Sequence, residues 1–163
     1  GAYAWFDNAN SWKDLYGALY NWHAVNSANG ICPAGWHVPS HDEWKAFTDY
    51  LGGDFLMNVH EIKSCRQVNS PLGGNCTTSE HPRWNATDYG WGTDEYGFSG
   101  LPGGYRTWDG FYFSMGISGY FWSSTENSSS NAGYRLMINE SNLFIPVSDD
   151  KRDGRSIRCV RDY

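Results

Sequence analysis

Two apolar segments near the end of the chain constrain its fold most: Gly119-Tyr120-Phe121-Trp122-Ser123-Ser124-Thr125-Glu126 and Ser156-Ile157-Arg158-Cys159-Val160-Arg161-Asp162. Both read as strands. The stretch between them, Asn127 to Arg155, is crowded with Asn, Ser, Asp and Arg. Strands at both ends hold such a stretch in place, and loops on a fixed scaffold carry recognition. The pattern predicts a chain that presents side chains rather than one that performs a reaction.

Composition fits short elements. Aromatic residues make up 17 % of the 163, with nine Trp, eleven Tyr and 19 Gly. That mix favours short strands, tight turns and long ordered loops. Mean hydropathy is low at -0.61, but disordered chains are poor in aromatics, so a folded chain is expected. The length suits one domain over residues 1–163 with its own core. The net charge of -6, with no basic run, argues against nucleic acid, whose binders need clustered Lys and Arg. No apolar stretch approaches the roughly 20 residues of a membrane span, so no direct membrane insertion is expected. The sequence shows no signal peptide, which a mature or trimmed domain would have lost.

Tyr3, Trp5 and Phe6 suggest a first strand over Gly1 to Asp7. Leu15, Leu19 and Trp22 recur at helical spacing and predict a helix from about Asp14 to Val25, ended by Asn29-Gly30. Ser40 and Glu43 form a capping box after Pro39. Trp44, Phe47 and Leu51 line the helix that follows, and Gly52-Gly53 stops it. Asp54 to Gly97 has weak periodicity, and so long a loop region calls for a staple or a function. Beyond it, Gly103-Gly104-Tyr105-Arg106 reads as a turn and core strand, Phe111-Tyr112-Phe113 as a further apolar segment, and Gly133 to Ile138 as a strand. The fold class is α+β.

Four cysteines permit three pairings. Cys65–Cys76 would staple the loop region and Cys32–Cys159 would tie the first third to the last strand, each worth about 2–5 kcal/mol. Disulfides would place the protein outside the cytosol. Four inert buried thiols are the alternative.

Several segments together resemble one family. Tyr16-Gly17-Ala18-Leu19-Tyr20-Asn21-Trp22-His23-Ala24-Val25, Cys32-Pro33-Ala34-Gly35-Trp36-His37-Val38-Pro39-Ser40, Gly97-Phe98-Ser99 through Arg106, Trp122 through Glu126, and Ile157 through Asp162 are similar to the Fibrobacter succinogenes major paralogous domain. The resemblance runs nearly end to end. It implies a C-type lectin-like α+β domain with paired terminal strands, two helices, short antiparallel strands and long ordered loops. It also implies an exported protein, extracellular or on the cell surface, as an outer-membrane lipoprotein or pilus tip. Family members begin with a Gly-x-x-x-Trp-Met-x-Glu-Asn-Leu-like strand that this sequence lacks. Either the domain is a piece of a longer surface protein or its first strand is Gly1 to Asp7.

Within that family, the variable proteins of diversity-generating retroelements, among them phage receptor binders and tip adhesins of gut Bacteroidales, resemble this chain. They carry a Trp-Ser-Ser-Thr-Glu strand, an Asn-rich stretch and a Ser-Val-Arg-Cys-like strand. The run Asn142 to Asp150 with Arg152 to Arg155 fits such a diversified surface. It also fits an ordinary loop-strand-loop with Leu143, Ile145 and Val147 alternating inward.

The expected function is ligand binding by an adhesin or receptor-binding tip, with a protein or glycan on a cell surface as partner. A structural module with no ligand of its own is the alternative. Tyr134, Phe144, Arg152 and Arg155 are hot-spot residue types. Asn127, Ser128, Ser130, Asn131, Asn139, Asn142 and Ser148 supply adaptable hydrogen bonds, and Pro146 with Asp149, Asp150 and Asp153 completes the candidate surface. On this reading Phe144→Ala or Arg155→Ala weakens binding without unfolding the domain. The carboxylates are of a kind that hold Ca2+, but Lys151, Arg152 and Arg155 among them favour local ion pairs, and no cofactor is expected. His23, His37, His41, His60 and His81 show no metal-ligand spacing. The formylglycine-generating enzymes of the same fold class need paired reactive cysteines near the C-terminus, where Cys159 stands alone, so no catalysis is expected. Trp122 reads as core, with Glu126 and its neighbouring hydroxyls anchoring loop backbone.

Overall fold

The computed structural model describes residues 1–54 and 57–163. Strands β1 (Tyr3–Ala4), β2 (Leu19–Tyr20), β3 (Trp36–His37), β4 (Gly103–Arg106), β5 (Tyr112–Met115), β6 (Ser118–Glu126), β7 (Asn131–Ile138), β8 (Phe144–Asp150) and β9 (Val160–Arg161) alternate with helices α1 (Lys13–Tyr16), α2 (Trp22–Val25) and α3 (His41–Tyr50). The main sheet has the order β5-β4-β6-β7-β8, antiparallel except where β4 meets β6. The fold is mixed α+β with few helices.

The capping box forms as the sequence predicts. Ser40 Oγ accepts from the Glu43 amide at 3.2 Å while Glu43 Oε2 accepts from the Ser40 amide at 2.8 Å. The Asp14–Val25 helix does not form as one element. Gly17 adopts φ 75°, a left-handed conformation that ends α1 after Tyr16. The chain then extends, so that Leu19 and Tyr20 pair with Ala4 and Tyr3. Leu19 and Trp22 are still buried, so the helical spacing marked the right core residues and the wrong backbone. The first strand is shorter than Gly1 to Asp7, since Phe6–Asn8 turn into a 3-10 helix. Nor do the first and last strands pair with each other: β1 pairs with β2, and β9 with β3.

Alternation along β6 explains why both sheet faces are covered. Phe121 points into a core with Trp44, Met57, Ile62, Trp84, Met137 and Phe144. Its neighbour Trp122 points the opposite way, into a second cluster with Trp22, Ala132 and Tyr134. Indole N–H groups tie the N-terminal segment to β6: Trp22 Nε1 donates to Ser123 O at 2.9 Å, and Trp122 Nε1 to Tyr20 O at 2.7 Å. The loop region is anchored by Lys63, whose buried Nζ donates to the carbonyls of Ile138, Asn139 and Ser141. Burial pulls the Lys63 pKa down to about 7.

Both expected disulfides are formed, Cys32–Cys159 and Cys65–Cys76, which is compatible with a protein outside the cytosol. No helix among the described residues is long and apolar enough to cross a membrane.

Candidate ligand-binding surface

The turn between β6 and β7 is held from below by a buried lysine. Lys151 Nζ donates to Ser128 O at 2.6 Å and Ser129 O at 3.0 Å, and it pairs with the Glu126 carboxylate. Its backbone N–H donates to Ser130 O at 2.9 Å, and its ammonium lies 4.7 Å from the Trp22 ring centroid. With the carbonyls turned inward to Lys151, the exposed side chains of Asn127, Ser128 and Ser130 face solvent. The register between β7 and β8 sets Asn131 beside Asp150 and Gly133 beside Ser148. Asn127, Ser128, Ser130, Asn131, Ser148, Asp149, Asp150 and Arg152 therefore share one end of the sheet.

Electrostatics there are local. Arg152 donates to both oxygens of Asp150, from Nε at 3.0 and 3.2 Å and from Nη2 at 2.5 Å. Those hydrogen bonds from Arg152 hold the Asp150 carboxyl at about 2, well below its usual range. The guanidinium also stacks on Trp108, 4.7 Å from its ring centroid. Asp149 and Asp153 pair with Arg155 at 2.8 and 3.2 Å. The carboxylates thus have basic partners, as the interleaved charges suggest. Among the described residues no group of three His, Cys, Asp or Glu side chains is arranged to hold a metal ion.

Other candidate residues lie elsewhere. Phe144 is 0 % exposed and belongs to the core around Trp44, Phe98 and Phe121. Arg155 is 1 % exposed, boxed by Tyr105, Tyr120, Trp122 and Tyr134. Tyr134 and Asp153 are buried with it, and burial pushes the Asp153 carboxyl up. None of these four offers a face to a ligand. Truncating Phe144 or Arg155 therefore acts on stability first, contrary to the expectation from residue type. Hot-spot residue types are also core residue types, and only burial separates the two roles.

Asn139 and Asn142 lie at the opposite end of the β7–β8 pair. Asn139 is buried there, and Asn142 Oδ1 accepts from the Val59 amide at 3.0 Å. Pro146 is exposed in the middle of β8, an edge strand, where a missing N–H is tolerated. Of Leu143, Ile145 and Val147, Val147 packs against the second core with Trp22 and Trp122, but the three do not form one enclosed face. Leu143 is exposed and the other two are half-buried, while Phe144 is the residue enclosed. Trp122 is core, and Glu126 anchors the turn through Lys151, as expected.

Sequence reasoning missed Arg106. The Gly-Gly-Tyr-Arg segment does form β4, but its arginine opens onto a surface cleft together with Tyr3, Asn8, Asn21 and Arg152. These positions are distant in the chain, and no local spacing links them.

No curated protein and no solved structure is detectably similar to the chain. Residues 1–161 match the model of the Fibrobacter succinogenes major domain, and the chain belongs to that family.

Proposed function

We propose that this domain is the non-catalytic ligand-binding part of an exported surface protein, an adhesin or receptor-binding tip of C-type lectin-like fold. Its binding surface is the exposed end of the sheet formed by Asn127, Ser128, Ser130, Asn131, Ser148, Asp149, Asp150 and Arg152. The Lys151 clamp carries this reading. It fixes the backbone of a polar turn whose side chains point to solvent, and ordering cost is thereby met before a ligand arrives. Ser and Asn side chains on a rigid frame are suited to adaptable hydrogen bonding. Such positions are also free to vary, which supports a retroelement-diversified surface in which Lys151, Asp153 and Arg155 stay constant.

The test is to probe the folded domain against cell-surface glycans and proteins, beside a Ser130→Tyr/Ser148→Tyr variant with an unchanged melting temperature. The reading predicts a specific partner whose binding the variant loses. Binding equal in both proteins would rule out this surface, and no binding at all would leave a structural module. Deep sequencing of the gene in its source population adds an independent check. Diversification predicts substitutions at adenine-containing codons of the exposed positions, whereas scattered variation removes it.

A further inference from the structure

Beside Arg152, the N-terminal segment closes over a cleft of about 210 Å³ whose walls include Tyr3, Asn8, Asn21, Arg106, Arg152 and Gly154. Its floor is rigid. Arg106 and Gly154 exchange backbone hydrogen bonds of 2.9 and 2.7 Å. A Cβ on Gly154 would lie 3.2 Å from Arg106 Cβ and 3.3 Å from Leu19 Cβ, so glycine lets these segments close together.

The polar side chains on these walls have donors to spare and few acceptors. Asn21 Oδ1 already accepts from the amides of Ala2 at 2.9 Å and Ala24 at 3.2 Å. Asn8 Oδ1 accepts from the Tyr112 hydroxyl at 2.8 Å. Each amide is left with its N–H2 group. Arg106 makes one side-chain hydrogen bond to the described residues, from Nη1 to Thr107 O at 3.2 Å, and its buried Nε has no partner. Arg152 is engaged by Asp150 through Nε and Nη2, which leaves Nη1. No carboxylate side chain of the described residues lines the cleft. Arg106 Nη2 has no hydrogen-bond partner among the described residues and is not among the buried atoms, so a ligand that brings negative charge and several acceptors can pair with it and with the free amide N–H2 groups.

We infer that this cleft binds a single acidic sugar residue, a hexuronate. Its carboxylate meets Arg106 and its hydroxyl oxygens accept from Asn8, Asn21 and Arg152. The exposed ring of Tyr3 gives an aromatic surface for the C–H face of the sugar. An acidic peptide side chain brings a single carboxylate and leaves most of these donors unmet, whereas a sugar carries acceptors around its whole ring. The volume suits one such ring. Apart from Arg152, the cleft shares no residue with the display surface proposed above, so the two readings stand or fall separately.

The test is calorimetric titration of the wild-type domain with glucuronate, galacturonate, glucose, acetate and an acidic peptide. Two variants accompany it. Asn8→Asp keeps the acceptor for Tyr112 but replaces the free donor with charge; Arg106→Gln removes the cation. The expected result is saturable hexuronate binding that weakens with salt. Glucose and acetate should bind roughly tenfold more weakly or not at all, and each variant should lose roughly tenfold or more while keeping its melting temperature. Absence of hexuronate binding by the wild type, or equal binding by the folded Asn8→Asp variant, would overturn the site. Acetate or the acidic peptide binding as well as hexuronate would overturn the sugar assignment.

Discussion

The Arg155 guanidinium lies 4.2 Å from the ring centroid of Tyr134 and donates from Nη2 to both Asp149 and Asp153. Trp122, Tyr120 and Tyr105 close the box around it. Its backbone also exchanges hydrogen bonds with Tyr20, of 2.8 and 3.0 Å. One residue thus joins the N-terminal segment, the second core and the end of β8.

Arg155→Gln should cost about 3–5 kcal/mol, because it strands the buried Asp153 carboxylate without its cation. Urea unfolding measures this. Adding Asp153→Asn should restore part of the loss, and a single variant as stable as wild type would show that the box carries no structural load.

Two positions on the same face of β8 should respond very differently. Phe144→Ala removes a fully enclosed ring and should cost about 3–5 kcal/mol. Ser148→Ala changes an exposed side chain and should stay within about 0.5 kcal/mol. Thermal melts of both variants decide whether the Phe144 end of that face is the enclosed one.

The two disulfides should be unequal in effect. Cys32–Cys159 spans a sequence separation of 127 and Cys65–Cys76 one of 11. Loop-closure entropy assigns about 5 kcal/mol to the first and about 3 kcal/mol to the second. Replacing each pair by serines and comparing urea midpoints checks the order; a larger loss from the short loop would contradict it.

His37 clasps the end of the chain to α3. Its Nδ1 lies 2.6 Å from Asp162 and its Nε2 2.7 Å from Glu43. Hydrogen bonds to Asp162 and then Glu43 raise its pKa above 6.5. This contribution is therefore complete below the unfolded value and is lost as pH rises through the folded one. Burial opposes ionisation of Glu43, but hydrogen bonds from Ser40 and His37 outweigh it and hold the carboxyl below 4.5. That share is lost as pH falls through the lowered value. The melting temperature should drop as pH rises from below 6.5 to above the folded His37 pKa, and His37→Asn should flatten that limb. An unchanged profile in the variant would show that the clasp does not contribute.

What depends on near neighbours could be read from the chain alone. The Ser40–Glu43 box, α3 with its Trp44 face and the Trp122 strand all rest on residues within a turn or on simple alternation. The two disulfides were legible because four cysteines leave few pairings, and five ordered motifs carried the family. Contacts between distant segments were not legible. Gly17 could end a helix or be tolerated in one, and the pairing of Leu19 with Ala4 decided the matter. Alternation along β8 could not tell Phe144 from Ile145, because both faces of the sheet bury apolar side chains and only the packing of α3 gives one of them a closed core. Arg155 and Arg152 differ by three positions and share a chemistry, yet the aromatic box encloses one and leaves the other in solvent. The cleft at Arg106 joins residues from both halves of the chain, and it exists only once long-range backbone pairing has brought them together.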